Sequence, residues 1–126
     1  MEVAIVGYSH GGLILGEWLA ESLRQHHANA GCVLSIAQRS DEATARDAAL
    51  LFESSNLIIA IINSDSSNAV MFDFGVARFL GKTFVLLAPD ETSLEAFPAP
   101  LRKTAQIMAL TPDETAVRIL GALQAA

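Results

Sequence analysis

Cysteine is almost missing from this 126-residue chain: Cys32 stands alone. A single thiol closes no internal disulfide, so a disulfide scaffold is excluded. Cys32 lies in the apolar stretch from Gly31 to Ala37, where it reads as a small buried hydrophobe rather than a reactive thiol, and a reducing cytosol suits it. Basic residues are few, 8 Lys+Arg against 14 Asp+Glu for a net charge of -6. No basic cluster is available to release counterions from a nucleic-acid backbone, so no nucleic-acid partner is expected. No apolar run approaches the roughly 18 residues of a membrane span, and no charged head with an apolar stretch and a cleavage site opens the chain. The expectation is a soluble, untargeted, cytoplasmic protein with no membrane partner.

Aromatic residues are also scarce, at 6%, although 52% of the chain is apolar and only 17% charged. Disorder is excluded by that balance. Many aliphatic and few aromatic residues fit strands buried on both faces, since one-sided strands would alternate with polar residues. Five short runs answer to this description: Val3–Val6, Val33–Ile36, Leu57–Ile62, Phe84–Leu87 and Ile107–Leu110. Each is bounded by turn residues, as interior parallel strands should be.

Helical patterns separate the runs. Leu13, Leu15, Trp18, Leu19, Ser22 and Leu23 form one stripe, which places Trp18 and Leu15 in the core. A second helix is predicted over about Asp41–Phe52 with Ser40 or Asp41 as N-cap, and a third over about Asn68–Leu80 with Gly81 as its C′ residue. Pro98 and Pro100 limit the segment Thr92–Lys103 to a turn or two of helix. For the last helix Thr111 caps, Pro112 takes the first position and Glu114 completes a capping box. The alternation defines a single three-layer α/β/α domain spanning 1–126, with a five-stranded parallel sheet in the flavodoxin-like, Rossmann-like order 2-1-3-4-5. Ligands of such sheets sit beyond the carboxyl ends of the strands, at the switch point between strands 1 and 3.

Two loops meet there. Gly7-Tyr8-Ser9-His10-Gly11-Gly12 lets backbone approach a ligand and offers N–H groups to an anion, although neither the dinucleotide fingerprint nor the P-loop spacing is present. Its glycines equally suit a tight turn, and His10 equally suits a solvated loop position. Asn63-Ser64-Asp65-Ser66-Ser67-Asn68 follows strand 3. One or two of these six cap the next helix, which leaves Asp65, Ser66 and Ser67 as candidates to contact sugar hydroxyls or a phosphate.

Asp73 is the most informative residue. Met71, Phe72, Phe74, Val76, Ala77, Phe79 and Leu80 make its helix apolar nearly all round. A carboxylate there is costly unless paired or used. The alternative is that Asp73 faces solvent or pairs with Arg78 or Lys82; Arg78, five residues on, is a poor helical partner.

The run Met71-Phe72-Asp73-Phe74-Gly75-Val76-Ala77-Arg78-Phe79-Leu80-Gly81-Lys82, entering the strand Thr83–Ala88 and Pro89-Asp90-Glu91, resembles the nucleoside 2-deoxyribosyltransferase family. In that family a catalytic Glu, one apolar residue and Gly open a helix segment that ends in Gly-Lys. The opening Val3–Gly12 looks like the first strand and loop of the 2′-deoxynucleoside 5′-phosphate N-hydrolases, a branch of the same superfamily. The matched stretches cover about half the chain. The resemblance implies N-glycosidic bond cleavage or transfer on a nucleoside or its 5′-monophosphate by a carboxylate nucleophile, with no metal and no cofactor. Asp73 takes the Glu position and Gly75 the motif glycine. Asp65 or Asp90 then serves as a second acid toward the leaving base, and Ser9, Ser66 and Ser67 hold a 5′-phosphate.

The chain departs from the family pattern in four places. Asp is one methylene shorter than Glu, and a misplacement of about 1 Å can cost ~100-fold in rate. The tyrosine that the family places in strand 1 falls at Ala4, for which Tyr8 is the candidate substitute. Asn56 stands where the hydrolase branch tends to have Asp entering strand 3. Ala122–Ala126 carries no polar, aromatic tail with which the transferases complete a neighbour's site, so hydrolysis is favoured over transfer. A homodimer or higher homo-oligomer is expected both from that family and from a mean hydropathy of +0.38.

Two other readings stay open. Asn68, Phe72, Asp73, Phe74 and Gly75 also look similar to the Asn-x-x-x-Phe-Glu-x-Gly run of bacterial TIR-type domains, which would make NAD or a cyclic nucleotide the ligand. Alternatively, the Asp-for-Glu change suits a non-catalytic nucleotide-binding module, with Trp18 and Leu15 then examined as interface residues.

Overall fold

The computed structural model describes residues 1–34, 42–62 and 67–125. It has five strands in the order β2-β1-β3-β4-β5, and every neighbouring pair is parallel. The strands are β1 (Glu2–Gly7), β2 (Asn29–Leu34), β3 (Leu57–Ile61), β4 (Thr83–Ala88) and β5 (Ala105–Ile107). The helices are α1 (His10–Gln25), α2 (Glu42–Ser54), α3 (Ser67–Phe79), α4 (Ala99–Arg102) and α5 (Pro112–Ala125), with a 3₁₀ turn over Thr92–Ala96. Among the described residues no helix is long and apolar enough to cross a membrane.

Strand alternation divides the core in two. Val3, Ile5, Leu57, Ile59, Ile61 and Leu87 meet α1 and α5 on one face, while Ala4, Val6, Ile58, Ala60, Leu86 and Ala88 meet α2, α3 and Leu101 of α4 on the other. Both faces are covered, which accounts for the continuous apolar runs of β1, β3 and β4. The register aligns Gly7 with Leu34 on one side and Ile61 on the other, so β2, β1 and β3 end level at the switch point.

Two strands begin earlier than hydropathy indicates. β2 pairs with β1 from Asn29 onward, and Ser35 and Ile36 lie outside the described residues. β5 spans only the three residues that meet Leu86–Ala88 before β4 ends; Met108 N–H still donates to the Ala88 carbonyl at 2.8 Å, and the chain then turns at Leu110, which is 99% exposed. Strand limits follow the partner's length, which hydropathy does not carry.

Trp18 corrects the reading of α1, for its side chain is 59% exposed, while Leu15 is half-buried against the core. The helix meets the sheet instead along Gly12, Gly16, Leu19, Ala20 and Leu23. A Cβ on Gly16 would lie 2.5 Å from the Cys32 sulfur and 3.2 Å from Ile5. This close approach by small residues turns the buried stripe away from Trp18.

Capping matches the sequence more closely. Gly81 sits at φ 71° after α3, with Gly81 N–H donating to Arg78 and Lys82 N–H to Ala77, a Schellman closure. Thr111 accepts from Glu114 N–H at 3.1 Å as expected, but the Glu114 carboxylate reaches forward to Arg118 at 2.9 Å rather than back to the cap, which corrects the expected capping box. The predicted caps of α2, Ser40 and Asp41, lie outside the described residues.

Candidate active site

β1 runs out of the sheet at Gly7, and the next residue, Tyr8, continues the alternation that sends Ala4 and Val6 to the α3 face. Its ring is buried there. α3 turns Val70, Asp73 and Ala77 inward, at the three- and four-residue spacing of one helix face. Asp73 therefore occupies a core position with no side-chain exposure at all. The two meet: Tyr8 Oη–H donates to Asp73 Oδ2 at 2.8 Å, across 65 residues of sequence.

The solvent-facing alternative for Asp73 is thus overturned. Ionised, the carboxylate is an acceptor only, and the phenol is a donor suited to it. Burial raises the pKa of Tyr8 far above the ordinary 10.0, and the adjacent Asp73 charge and their hydrogen bond raise it further. The phenol keeps its proton throughout the physiological range, so it is a donor and not a base.

The loop that leads from Tyr8 into α1 is built tightly. A Cβ on Gly7 would meet Leu13 N at 2.9 Å, so helix and strand approach too closely for any other residue. The Ser9 hydroxyl accepts from Gly12 N–H at 3.0 Å and caps α1. His10 is exposed on the first turn, and a Cβ on Gly11 would meet only the Ser9 hydroxyl oxygen, at 4.0 Å. α1 and α3 both begin at this edge and neither has an acidic residue in its first turn, whereas α5 has Asp113 and Glu114.

The other sequence candidates divide as follows. Ser67 is the first residue of α3 and half-buried, while Asp65 and Ser66 lie outside the described residues. Gly75 is on the outer, exposed side of α3, turned away from the Tyr8–Asp73 pair. Asp90 is exposed and accepts from both the backbone N–H and the hydroxyl of Ser93, each at 2.9 Å; the backbone bond first, then the hydroxyl, hold its carboxyl below the usual range. Asn56 sits at the opposite end of the sheet, where its Oδ1 accepts from Glu2 N–H at 2.8 Å. That is a strand-pinning contact at the entry of β3, remote from the carboxyl edge.

Sequence reasoning did not foresee an apolar cleft of about 120 Å³ on the other face of the sheet, between α1 and the start of α5. Leu15, Trp18, Leu87, Met108, Leu110 and Thr115 are among its walls. No Asp, Glu, His, Lys or Arg lines it, so it offers shape without acid–base chemistry. Among the described residues no group of three or more His, Cys, Asp or Glu could hold a metal ion.

No protein-family model and no curated protein matches the sequence. Among solved structures, the chain is similar to the CMP N-glycosidase BcmB of Clostridium botulinum, with a TM-score of 0.61 over 96% of this chain and 98% of that one, at 14% identity. The likeness runs nearly end to end and shows a common fold: a five-stranded parallel α/β domain of order 2-1-3-4-5, the architecture on which that N-glycosidase is built.

Proposed function

We propose that this protein cleaves the N-glycosidic bond of a nucleoside 5′-monophosphate, with Asp73 as the nucleophile and water as the acceptor. The observation that carries the reading is the buried Tyr8–Asp73 pair at the switch-point edge, on a fold similar to that of a CMP N-glycosidase. One Asp73 oxygen attacks C1′ and the base leaves with the bonding electron pair, taking a proton from solvent or an acid. Water then attacks C1′ of the glycosyl ester and restores the carboxylate, the retaining course of a double displacement. Tyr8, donating to Oδ2, fixes the carboxylate's rotamer. The N-termini of α1 and α3, with the Gly7–Gly12 loop and Ser66 and Ser67, receive the 5′-phosphate; Asp65 is the candidate acid toward the base. Asp90 is already committed to Ser93, and Gly75 is better placed on the outer face than at the sugar. The half-buried lone Cys32 suits a cytoplasmic setting.

Complete enclosure of Asp73 favours a second reading, a nucleotide-binding module on a catalytic scaffold that no longer turns over. One experiment separates the two. The purified protein and its Asp73→Ala variant are incubated with nucleosides, deoxynucleosides, their 5′-monophosphates and NAD, and free base or nicotinamide is followed by chromatography. Base release from a monophosphate, lost in the variant, is the expected result. Monophosphate binding without release of base supports the binding module, and release of nicotinamide moves the protein to NAD chemistry.

A further inference from the structure

The cleft on the α1 and α5 face is a second concave site. Ile61 and Leu87 supply its sheet side near the carboxyl ends of β3 and β4, α1 supplies Leu15 and Trp18, and the chain leading from β5 into α5 supplies Met108 and Pro112. Asp73 lies across the sheet, on the α3 face. The volume of about 120 Å³ is that of one ring, for a closed apolar cavity of roughly 150 Å³ takes up benzene.

The polar groups of the wall are already engaged. Thr115 Oγ1 accepts from Ala109 N–H at 3.0 Å and donates to the Thr111 carbonyl at 2.9 Å, and Thr111 Oγ1 accepts from Glu114 N–H at 3.1 Å. Met108 N–H donates to the Ala88 carbonyl at 2.8 Å, and the Leu87 carbonyl accepts from Ile62 N–H at 3.0 Å. A free nucleobase, rich in donors and acceptors, would lose water here without replacement.

The charges are engaged as well. No ionisable group lines the cleft. In the first turn of α5 Asp113 pairs with His26 at 3.0 Å and Glu114 with Arg118 at 2.9 Å, and on α1 Glu21 pairs with Arg24 at 3.0 Å. A phosphate or an ammonium group therefore finds no counter-ion. The same exposed pairs interrupt the apolar surface beside the cleft, whereas a stable protein interface needs about 800 Å² on each partner. That favours a free small molecule over a ring carried by another protein.

We propose that this cleft binds an uncharged small molecule through a single aromatic ring, seated against Trp18 and Met108. Both wall residues suit a ring, the indole by its face and the thioether by its polarisable sulfur. The Trp18 side chain is 59% exposed although it lines the cleft, so a seated ring removes it from water. The site stands on the α1 and α5 face alone, and base release, present or absent, leaves it intact.

Trp18 is the single tryptophan of the chain, so its emission reports on the cleft and not on the exposed apolar side chains of α3. Toluene added to the full chain should shift that emission to shorter wavelength along a saturable curve and raise Tm. Benzoate, benzylammonium and N-acetylphenylalanine amide should each bind about tenfold or more weakly than toluene, the first two for an unpaired charge and the third for its unpaired amides. Ala109→Leu, which fills the cleft from its wall, should keep the circular dichroism spectrum and lose the response to toluene. If that variant does not fold, the ranking of the four probes on the parent decides. The proposal is overturned by the absence of a saturable toluene shift, by a charged probe or the amide binding as tightly as toluene, or by a folded Ala109→Leu protein that responds like the parent. Displacement of toluene by a nucleoside monophosphate would also overturn it, since the cleft would then belong to the nucleotide site.

Discussion

The two faces of the sheet hold opposite halves of what a binding enzyme needs. On the α1 and α5 side there is a cavity without chemistry: an apolar cleft walled by Leu15, Trp18, Met108 and Leu110, with no ionisable group. On the α2 and α3 side there is chemistry: a carboxylate with no exposure, held by a phenol. A buried carboxylate costs several kcal/mol of lost hydration, and a purely structural core position would be filled more cheaply by Leu or Met. The cleft, lined by apolar side chains and Thr111 and Thr115, requires no such explanation.

Four tests break or sharpen that comparison, the largest expected effect first. Tyr8→Phe leaves Asp73 in place without its phenolic donor; it should lower kcat for base release by roughly ten- to a hundredfold with little change in KM, as a misaligned nucleophile does. It should also cost about 1–3 kcal/mol in urea unfolding, since it strips a donor from a buried acceptor. A drop in stability alone, with kcat intact, would make the pair structural.

Second, because Tyr8 is the single tyrosine of the chain, tyrosinate absorbance reads this pair directly. Its folded pKa lies above the ordinary 10.0, so the phenol contributes full stability below that pH and loses it as pH rises beyond. The expected outcome is no tyrosinate signal near pH 10 in the folded protein, and its appearance only together with loss of the circular dichroism spectrum. A reversible transition near pH 10 in folded protein would show that the ring is not sealed.

Third, Ser9→Ala removes the α1 cap and should cost about 1 kcal/mol, seen as a fall of a few degrees in Tm. If the hydroxyl also holds phosphate, KM for monophosphates rises while KM for nucleosides stays; an unchanged ratio limits Ser9 to capping. Fourth and smallest, Cys32 is half-buried, and burial, with the nearby Glu17 charge, pushes its thiol up to about 11. Disulfide reagents at pH 8 should label it much more slowly than a free thiol, and the protein should lose some stability as pH rises from 9.0 toward 11. Fast labelling would mean that α1 does not close over it.

The sheet was legible in the sequence because parallel strands buried on both faces leave uninterrupted aliphatic runs, and because right-handed crossovers restrict their order. Asp73 was legible for a related reason, as a charge in a helix otherwise apolar on every side. Its partner was less so. Tyr8 lies past the end of β1 in a loop, and only the continued alternation of Ala4, Val6 and Tyr8 carries it to α3. Trp18 misled because spacing shows which residues share a stripe, whereas the position of the stripe depends on how near Gly12, Gly16 and Ala20 let the helix come. Asn56 stands at the entry of β3 as the sequence indicated, and its contact with Glu2 N–H could be known only once β1 and β3 were paired.

The most direct test is the initial rate of base release from the best monophosphate substrate, measured side by side for the parent and for Asp73→Asn, which keeps the shape and removes the charge. The account predicts base release by the parent and a loss of roughly a thousandfold or more in a variant that still folds. Equal rates in the two proteins would contradict it.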